Sequence, residues 1–192
     1  NDDVGQAVRR YPQRFVGFAA TCLAWGKRNR DELTRCFDEL GHRGIKVHSA
    51  YEDLPLRDLR GLPAYEEGLA AIREFAHERG CPVLCHGHLT PDVARKYPDA
   101  KFLHAHAGGV RSAAHSFADC PNVHFDTASS GTLRGNIEYF VGHGLGDRVL
   151  FGTDMPYANP AMRLGQVVGS RLTDEQLAPI LGGNADRLLG AS

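Results

Sequence analysis

No run of this chain is apolar for long enough to cross a membrane: the longest, Phe15 to Trp25, is interrupted by Gly17 and Thr21 and falls short of the ~18 residues a spanning helix needs. Charge of one sign is also missing. Twenty-two basic side chains face 23 acidic ones, for a formal net charge of -1, and neither sign gathers into a block. The electrostatic footprint of a nucleic-acid or anionic-membrane binder is therefore absent, and a small molecule is the expected partner. The five cysteines are odd in number and scattered from Cys22 to Cys120, unlike the dense framework of a small secreted domain. They read as reduced core thiols of a cytoplasmic chain. Asn1-Asp-Asp-Val-Gly-Gln6 has neither the basic nor the apolar part of a secretory signal. There is no Gly-x-Ser-x-Gly elbow and no Walker loop. Gly142-His-Gly144-Leu-Gly146 precedes a strand instead of following one, so it reads as a helix stop.

Short apolar runs alternate with longer stretches of helical spacing, the signature of βαβ units within one domain over residues 1-192. Asp2 to Tyr11 reads as a helix stopped by Pro12. Strands are expected at Phe15–Ala20, Gly44–His48, Pro82–Gly87, Lys101–His106, Asn122–Thr127 and Arg148–Asp154. The intervening helices are expected at Asp31–Leu40, Ala64–Arg79 closed by Gly80, from Thr90-Pro91, Val110–Ala118 and Leu133–Gly142. Further helical stretches follow at Ala161–Val168, Thr173–Leu181 and Asn184–Leu189. Six strands joined by helices imply right-handed parallel crossovers.

A strand covered on both faces should be nearly all apolar, so polar residues at its C-terminal end need a reason. Lys46 and His48 end the second strand, His86 the third, His104 and His106 the fourth and Asp154 the sixth. Alternation puts Lys46 with His48 on one face, Leu84 with His86 and His88 on one face, and His104 with His106 on one face. In barrels and open α/β sheets alike, ligands and catalytic groups lie at this edge. Imidazole plus carboxylate suits Zn²⁺ or a similar divalent ion that activates a water. A zinc cluster within Cys81-Pro-Val-Leu-Cys85-His86-Gly-His88 is disfavoured, because alternation sets both cysteines opposite both histidines. The same opposition argues against Cys85 as a nucleophile with His86 as its base. His42, His77, His115, His124 and His143 lie on helices, in turns or alone and read as structural.

In this order along the chain, Tyr11-Pro-Gln-Arg-Phe-Val-Gly-Phe18, Gly44-Ile-Lys-Val-His48, Pro82-Val-Leu-Cys-His86, His104-Ala-His106-Ala-Gly-Gly109, Asn122-Val-His-Phe-Asp-Thr127, Arg148-Val-Leu-Phe-Gly-Thr-Asp154-Met-Pro156 and Asn184-Ala-Asp-Arg-Leu-Leu189 resemble the amidohydrolase-2 family of metal-dependent TIM-barrel enzymes. The resemblance implies an α/β fold of the TIM (β/α)8 type. It makes His86 a metal ligand, His106 the histidine that handles the attacking water or polarises substrate, and Asp154 both a metal ligand and a proton shuttle. Lys46 matches the family's strand-four lysine, as a substrate-anion partner or a structural ion pair, with a modified metal-bridging lysine as the third reading. His48 and Tyr157 are expected to join Lys46 at the substrate; Tyr51, Arg57 and Arg60 lie in loops that could reach an acid, but each arginine reads first as a solvated surface residue. The expected cofactor is a divalent metal, Zn with Mn as the other choice.

The family's first strand carries a His-x-His ligand pair, and nothing upstream of Tyr11 corresponds to it. The six strands match the family's third to eighth, so the expected barrel is N-terminally incomplete. Its length of 192 residues agrees, since eight-stranded barrels take about 250 and rarely fewer than about 200. Open sheet edges would then be covered, with a homo-oligomer as the expected cover. The expected activity is metal-dependent hydrolysis of an ester, lactone or amide of a small carboxylated substrate. Two alternatives stand beside it: non-oxidative decarboxylation of an aromatic or unsaturated acid, and a catalytically inactive remnant or binding module.

Overall fold

A computed structural model describes residues 1–48, 62–106, 110–128 and 135–190. The described chain forms six strands: β1 (Phe18–Ala20), β2 (Gly44–His48), β3 (Pro82–His86), β4 (Lys101–His104), β5 (Val123–Asp126) and β6 (Val149–Leu150). Its α-helices are α1 (Asp2–Arg10), α2 (Asn29–Asp38), α3 (Pro63–Arg79), α4 (Pro91–Lys96), α5 (Arg111–Ser116), α6 (Asn136–Gly142), α7 (Pro160–Val168), α8 (Asp174–Ala178) and α9 (Asn184–Leu189). Two compact units divide the chain: Asn1–Leu89 with Lys96–Phe102, and Thr90–Arg95 with Leu103–Ser192.

In the first unit β1, β2 and β3 are parallel neighbours in chain order, with Phe18 opposite Gly44 and Ile45 opposite Val83. Alternation along β2 buries Ile45 and Val47, at 0% and 2% exposure, and leaves Lys46 and His48 half-buried. α3 begins with Pro63 in its first turn and presents Tyr65, Leu69, Ile72, Phe75 and Ala76 as one buried stripe. A left-handed Gly80 stops it, as the sequence implies. Each such apolar side chain contributes about 1.5–3 kcal/mol by leaving water. Gly68 sets the approach of this helix: a Cβ there would stand 2.2 Å from the Leu23 carbonyl oxygen. That carbonyl belongs to a 3₁₀ segment, Leu23–Arg28, which precedes α2 and which the sequence reading did not anticipate.

In the second unit β5 and β6 are parallel, with Phe125 opposite Val149. Val123, Phe125, Phe140, Val149 and Ile180 are fully buried. Arg148 is buried beside them and donates to the carbonyls of Phe117, Cys120 and Val123, which ties the α5–β5 connection to the start of β6.

Several expected boundaries are corrected. β1 starts at Phe18, because Phe15 and Val16 are 51% and 37% exposed and follow a turn over Pro12–Arg14. β6 is Val149–Leu150 only: Gly146–Arg148 is a 3₁₀ turn, and the Phe151 N–H donates to the Ile180 carbonyl. The helix expected over Thr173–Leu181 is α8 followed by a π-helical turn, Pro179–Gly183. Leu133, Tyr51, Arg57 and Arg60 lie outside the described residues. Among the described residues no helix is long and apolar enough to cross a membrane.

Candidate active site

In the first unit, strand register brings His48 directly opposite His86 at the C-terminal ends of β2 and β3. Their rings meet edge to face, with centroids 4.0 Å apart. Lys46 lies on the same face of β2 as His48, opposite Leu84. His88 does not continue this face, which corrects the alternation argument. Gly87 and His88 both have positive φ, 81° and 62°, so the chain leaves the strand after His86. The His88 ring turns to the buried Tyr65, whose hydroxyl is 2.6 Å from His88 Nδ1. Arg73 donates to the His88 carbonyl at 2.8 Å. Tyr65 and Arg73 are eight residues apart on α3, about two turns, so one helix face grips both the side chain and the main chain of His88.

The cysteines of this stretch, Cys81 and Cys85, are buried. Cys85 is 4% exposed and burial pushes its thiol up to about 12, while burial pushes Cys81 up to about 11. A thiol held protonated is a poor nucleophile near neutral pH.

In the second unit, β4 ends at His104 and the expected pairing of His104 with His106 fails. His104 packs edge to face on Phe117, centroids 5.5 Å apart. His106 has left the strand with φ 62°. Its backbone N–H donates to Asp126 Oδ1 at 2.8 Å, and the same oxygen accepts from the Ala128 N–H at 3.0 Å. His106 Nδ1 donates to the Ala128 carbonyl. A carbonyl can only accept, so this contact calls for the tautomer with its proton on Nδ1. The residue after β5, Thr127, accepts from the Gly152 N–H at 3.0 Å and thereby holds the turn that carries Asp154. Gly152 suits this close approach, since a Cβ there would stand 3.0 Å from that of Ala128. Asp154 is exposed with φ 59°, its carbonyl accepts from the Ala158 N–H at 2.9 Å, and a cis Met155–Pro156 bond follows. Tyr157 is 95% exposed.

His48 and His86 are thus brought together, His88 and His104 are committed to aromatic neighbours, and His106 is anchored by Asp126. Among the described residues no three His, Cys, Asp or Glu side chains are gathered as a metal site. An open cavity of about 370 Å³ in the first unit, lined by Trp25, Arg28, Asp31, Glu32 and Arg35, contains none of the expected site residues. Sequence reasoning missed Asp126, Thr127, Tyr65 and Arg73. Asp126 and Thr127, the polar pair that ends the strand expected over Asn122–Thr127, were a visible signal of the same kind as those used on four other strands. Tyr65 and Arg73 carried none, because their partner lies 23 and 15 residues away.

The family model described as amidohydrolase matches residues 1–191. The 2-amino-3-carboxymuconate-6-semialdehyde decarboxylase of Dictyostelium discoideum is 24% identical over 237 aligned positions, which take in 99% of this chain. The chain spans 65% of the length of that relative. Among solved structures, an uncharacterized TIM-barrel protein of Bordetella bronchiseptica superposes with a TM-score of 0.79 at 21% identity, covering 98% of this chain and 71% of the other. A dihydroxybenzoic acid decarboxylase of a Polaromonas species, solved with manganese and 2-nitroresorcinol, gives 0.73 at 20% identity, with 98% and 73% covered. These two likenesses establish the shared TIM-barrel fold, and six parallel strands alternating with helices agree with it. With nearly every residue matched by the family model, the chain belongs to the amidohydrolase family.

Proposed function

We propose that this chain carries catalytic groups of a metal-dependent, non-oxidative decarboxylase of aromatic or unsaturated carboxylic acids. The observation that carries the reading is the anchored His106 ring, whose Nδ1 contact with the Ala128 carbonyl calls for the Nδ1–H tautomer. Decarboxylation breaks the bond between carbon and carboxylate, releases carbon dioxide and leaves an electron pair that one proton must quench. His106 Nε2, once protonated, is the donor, and Asp154 is the second proton carrier. The relatives support this class over hydrolysis: one is named for decarboxylating an unsaturated acid and another an aromatic one.

His86 and Asp154 are the proposed metal-holding residues. The paired imidazoles of His48 and His86 have the donor chemistry of a divalent site. A bound divalent ion supplies Lewis-acid stabilisation of developing negative charge. Manganese accompanies a relative, and zinc is the other ion to be tested. Lys46 pairs with the substrate anion, and Tyr157 contacts the substrate from its exposed turn. A homo-oligomer that covers the sheet edges completes the reading. The outer side of β1 is capped at one residue, where the Asn1 side-chain amide bonds both the N–H and the C=O of Ala20.

The test is to incubate purified protein, metal-free and reloaded with Mn²⁺ or Zn²⁺, with dihydroxybenzoates and unsaturated dicarboxylic semialdehydes. Carbon dioxide release that is abolished by chelation and restored by metal is expected. Ring opening of lactones without carbon dioxide would replace the reading by hydrolysis, and no metal-dependent turnover on either panel would leave the remnant.

A further inference from the structure

We propose that Arg163 is an anion-binding residue, whose guanidinium takes a carboxylate of a small acid. The choice of carboxylate among anions rests on the decarboxylase reading; the open edge of the guanidinium does not. Arg163 is the one charged residue of α7, and it is turned inward: at 3% exposure it forms the buried stripe of the helix with Val167, four residues on. The outward arc holds Ala161, Met162, Leu164, Gly165 and Val168, none of them charged. An amphipathic surface helix has the reverse arrangement.

A guanidinium stays charged when buried, and a buried charge is costly unless it is paired. Arg163 has no ion pair among the described residues. Its one hydrogen bond there runs from Nη1 to the neutral amide of Gln166, 2.9 Å from Oε1. Nε is buried without a hydrogen-bond partner, and Nη2 makes no hydrogen bond to a described residue. Nε–H and Nη2–H are the parallel donors of the guanidinium edge that meets a carboxylate fork to fork. Gln166 thus holds one nitrogen and leaves that edge open. A donor pair held in place on a helix binds without much further ordering. Arg163 is also the fourth residue of α7, the helix that follows the Asp154 turn in the same unit. Helical side chains lean toward the N-terminus, where the backbone dipole is positive, so helix and guanidinium favour the same sign of ligand.

The test is calorimetric titration of the metal-free protein with benzoate, with its neutral analogue benzamide and with inorganic phosphate. Wild type, Arg163→Lys and Arg163→Met are compared, with far-UV circular dichroism and urea unfolding of each ligand-free protein. Wild type should bind benzoate and not benzamide. Arg163→Met should weaken benzoate binding at least about tenfold, the worth of one charge-assisted hydrogen bond. Arg163→Lys, which keeps the charge and loses the fork, should fall between the two. Ligand-free Arg163→Met should unfold at the wild-type urea concentration or above it, because it removes an uncompensated buried charge. A clearly lower midpoint would make Arg163 a structural residue and overturn the inference. Wild-type benzoate affinity in folded Arg163→Met, equal binding of benzamide, or no benzoate binding by wild type would overturn it as well. Phosphate binding tighter than benzoate would overturn the choice of a carboxylate. Metal-free protein reads binding without turnover, so a failure of carbon dioxide release would overturn the decarboxylase reading and leave the anion site standing.

Discussion

The backbone N–H of His106 donates to the carboxylate of Asp126 at 2.8 Å, so a buried acid at the end of β5 holds the residue that has just left β4. The same oxygen takes the Ala128 N–H, and the Ala128 carbonyl takes Nδ1 of the His106 ring. One carboxylate therefore organises both the main chain and the ring of the proposed proton donor.

Replacing Asp126 by Ala removes both bonds and leaves two backbone donors unsatisfied. We expect a stability loss of about 1–3 kcal/mol in urea unfolding. Carbon dioxide release should fall about 10- to 100-fold, within what a displaced acid–base group costs. Asp126→Asn keeps an accepting oxygen and should recover part of both. Turnover that is unchanged in Asp126→Ala would remove Asp126 from the positioning of His106.

Tyr65→Phe keeps the buried ring and deletes only the hydroxyl that meets His88 Nδ1. About 1 kcal/mol of stability should be lost, the usual worth of one intramolecular hydrogen bond. Arg73→Met should cost at least as much, since a hydrogen bond from a charged donor is the stronger kind. Urea midpoints equal to wild type in both variants would show that the turn after β3 holds without them.

His42 gives stability a pH dependence. It is 2% exposed, its Nδ1 lies 3.2 Å from the Cys36 carbonyl, and burial holds its pKa below the ordinary imidazole value. Nε2 has no hydrogen-bond partner among the described residues. The unfolded chain takes up this proton near pH 6.5. The folded chain resists until a lower pH, so between the two values the unfolded state binds more protons and stability rises with pH. The contribution of this group is full above about pH 6.5 and declines as pH falls through and below it. Urea midpoints of wild type should drop between pH 7.5 and 5.5 by more than those of His42→Gln; parallel drops would place the dependence elsewhere.

Native protein should resist thiol alkylation at Cys36, Cys81, Cys85 and Cys120, all buried, and burial raises the pKa of each. Cys22, half-buried, should react first with iodoacetamide at pH 8. Mass spectrometry of the peptides reads the order. Rapid native labelling of Cys85 would reopen it as a reactive group.

The strands were most legible where apolar alternation was uninterrupted. β2 runs over Gly44–His48 as its spacing implies, and α3 stops at the glycine that follows Arg79. Phe15 and Val16 look equally strand-like, yet they lie exposed, because β1 pairs with β2 only from Phe18 onward. Pattern reports what a segment suits, and pairing requires a partner at the right register.

The candidate site divides along the same line. Local order along the chain was enough to place Lys46, His48 and His86 on strand ends and to set Cys85 opposite His86, because side-chain direction alternates strictly while a strand lasts. It could not tell where each strand ends. Positive φ at His88, His106 and Asp154 breaks the alternation at three of the residues that matter most. Tyr65, Arg73, Asp126 and Thr127 then fix two of those turns, His88 and His106, and the chain entering the third at Gly152. Those partners come from other elements, so their choice depends on which surfaces pack together, a property of the folded chain and of no single segment.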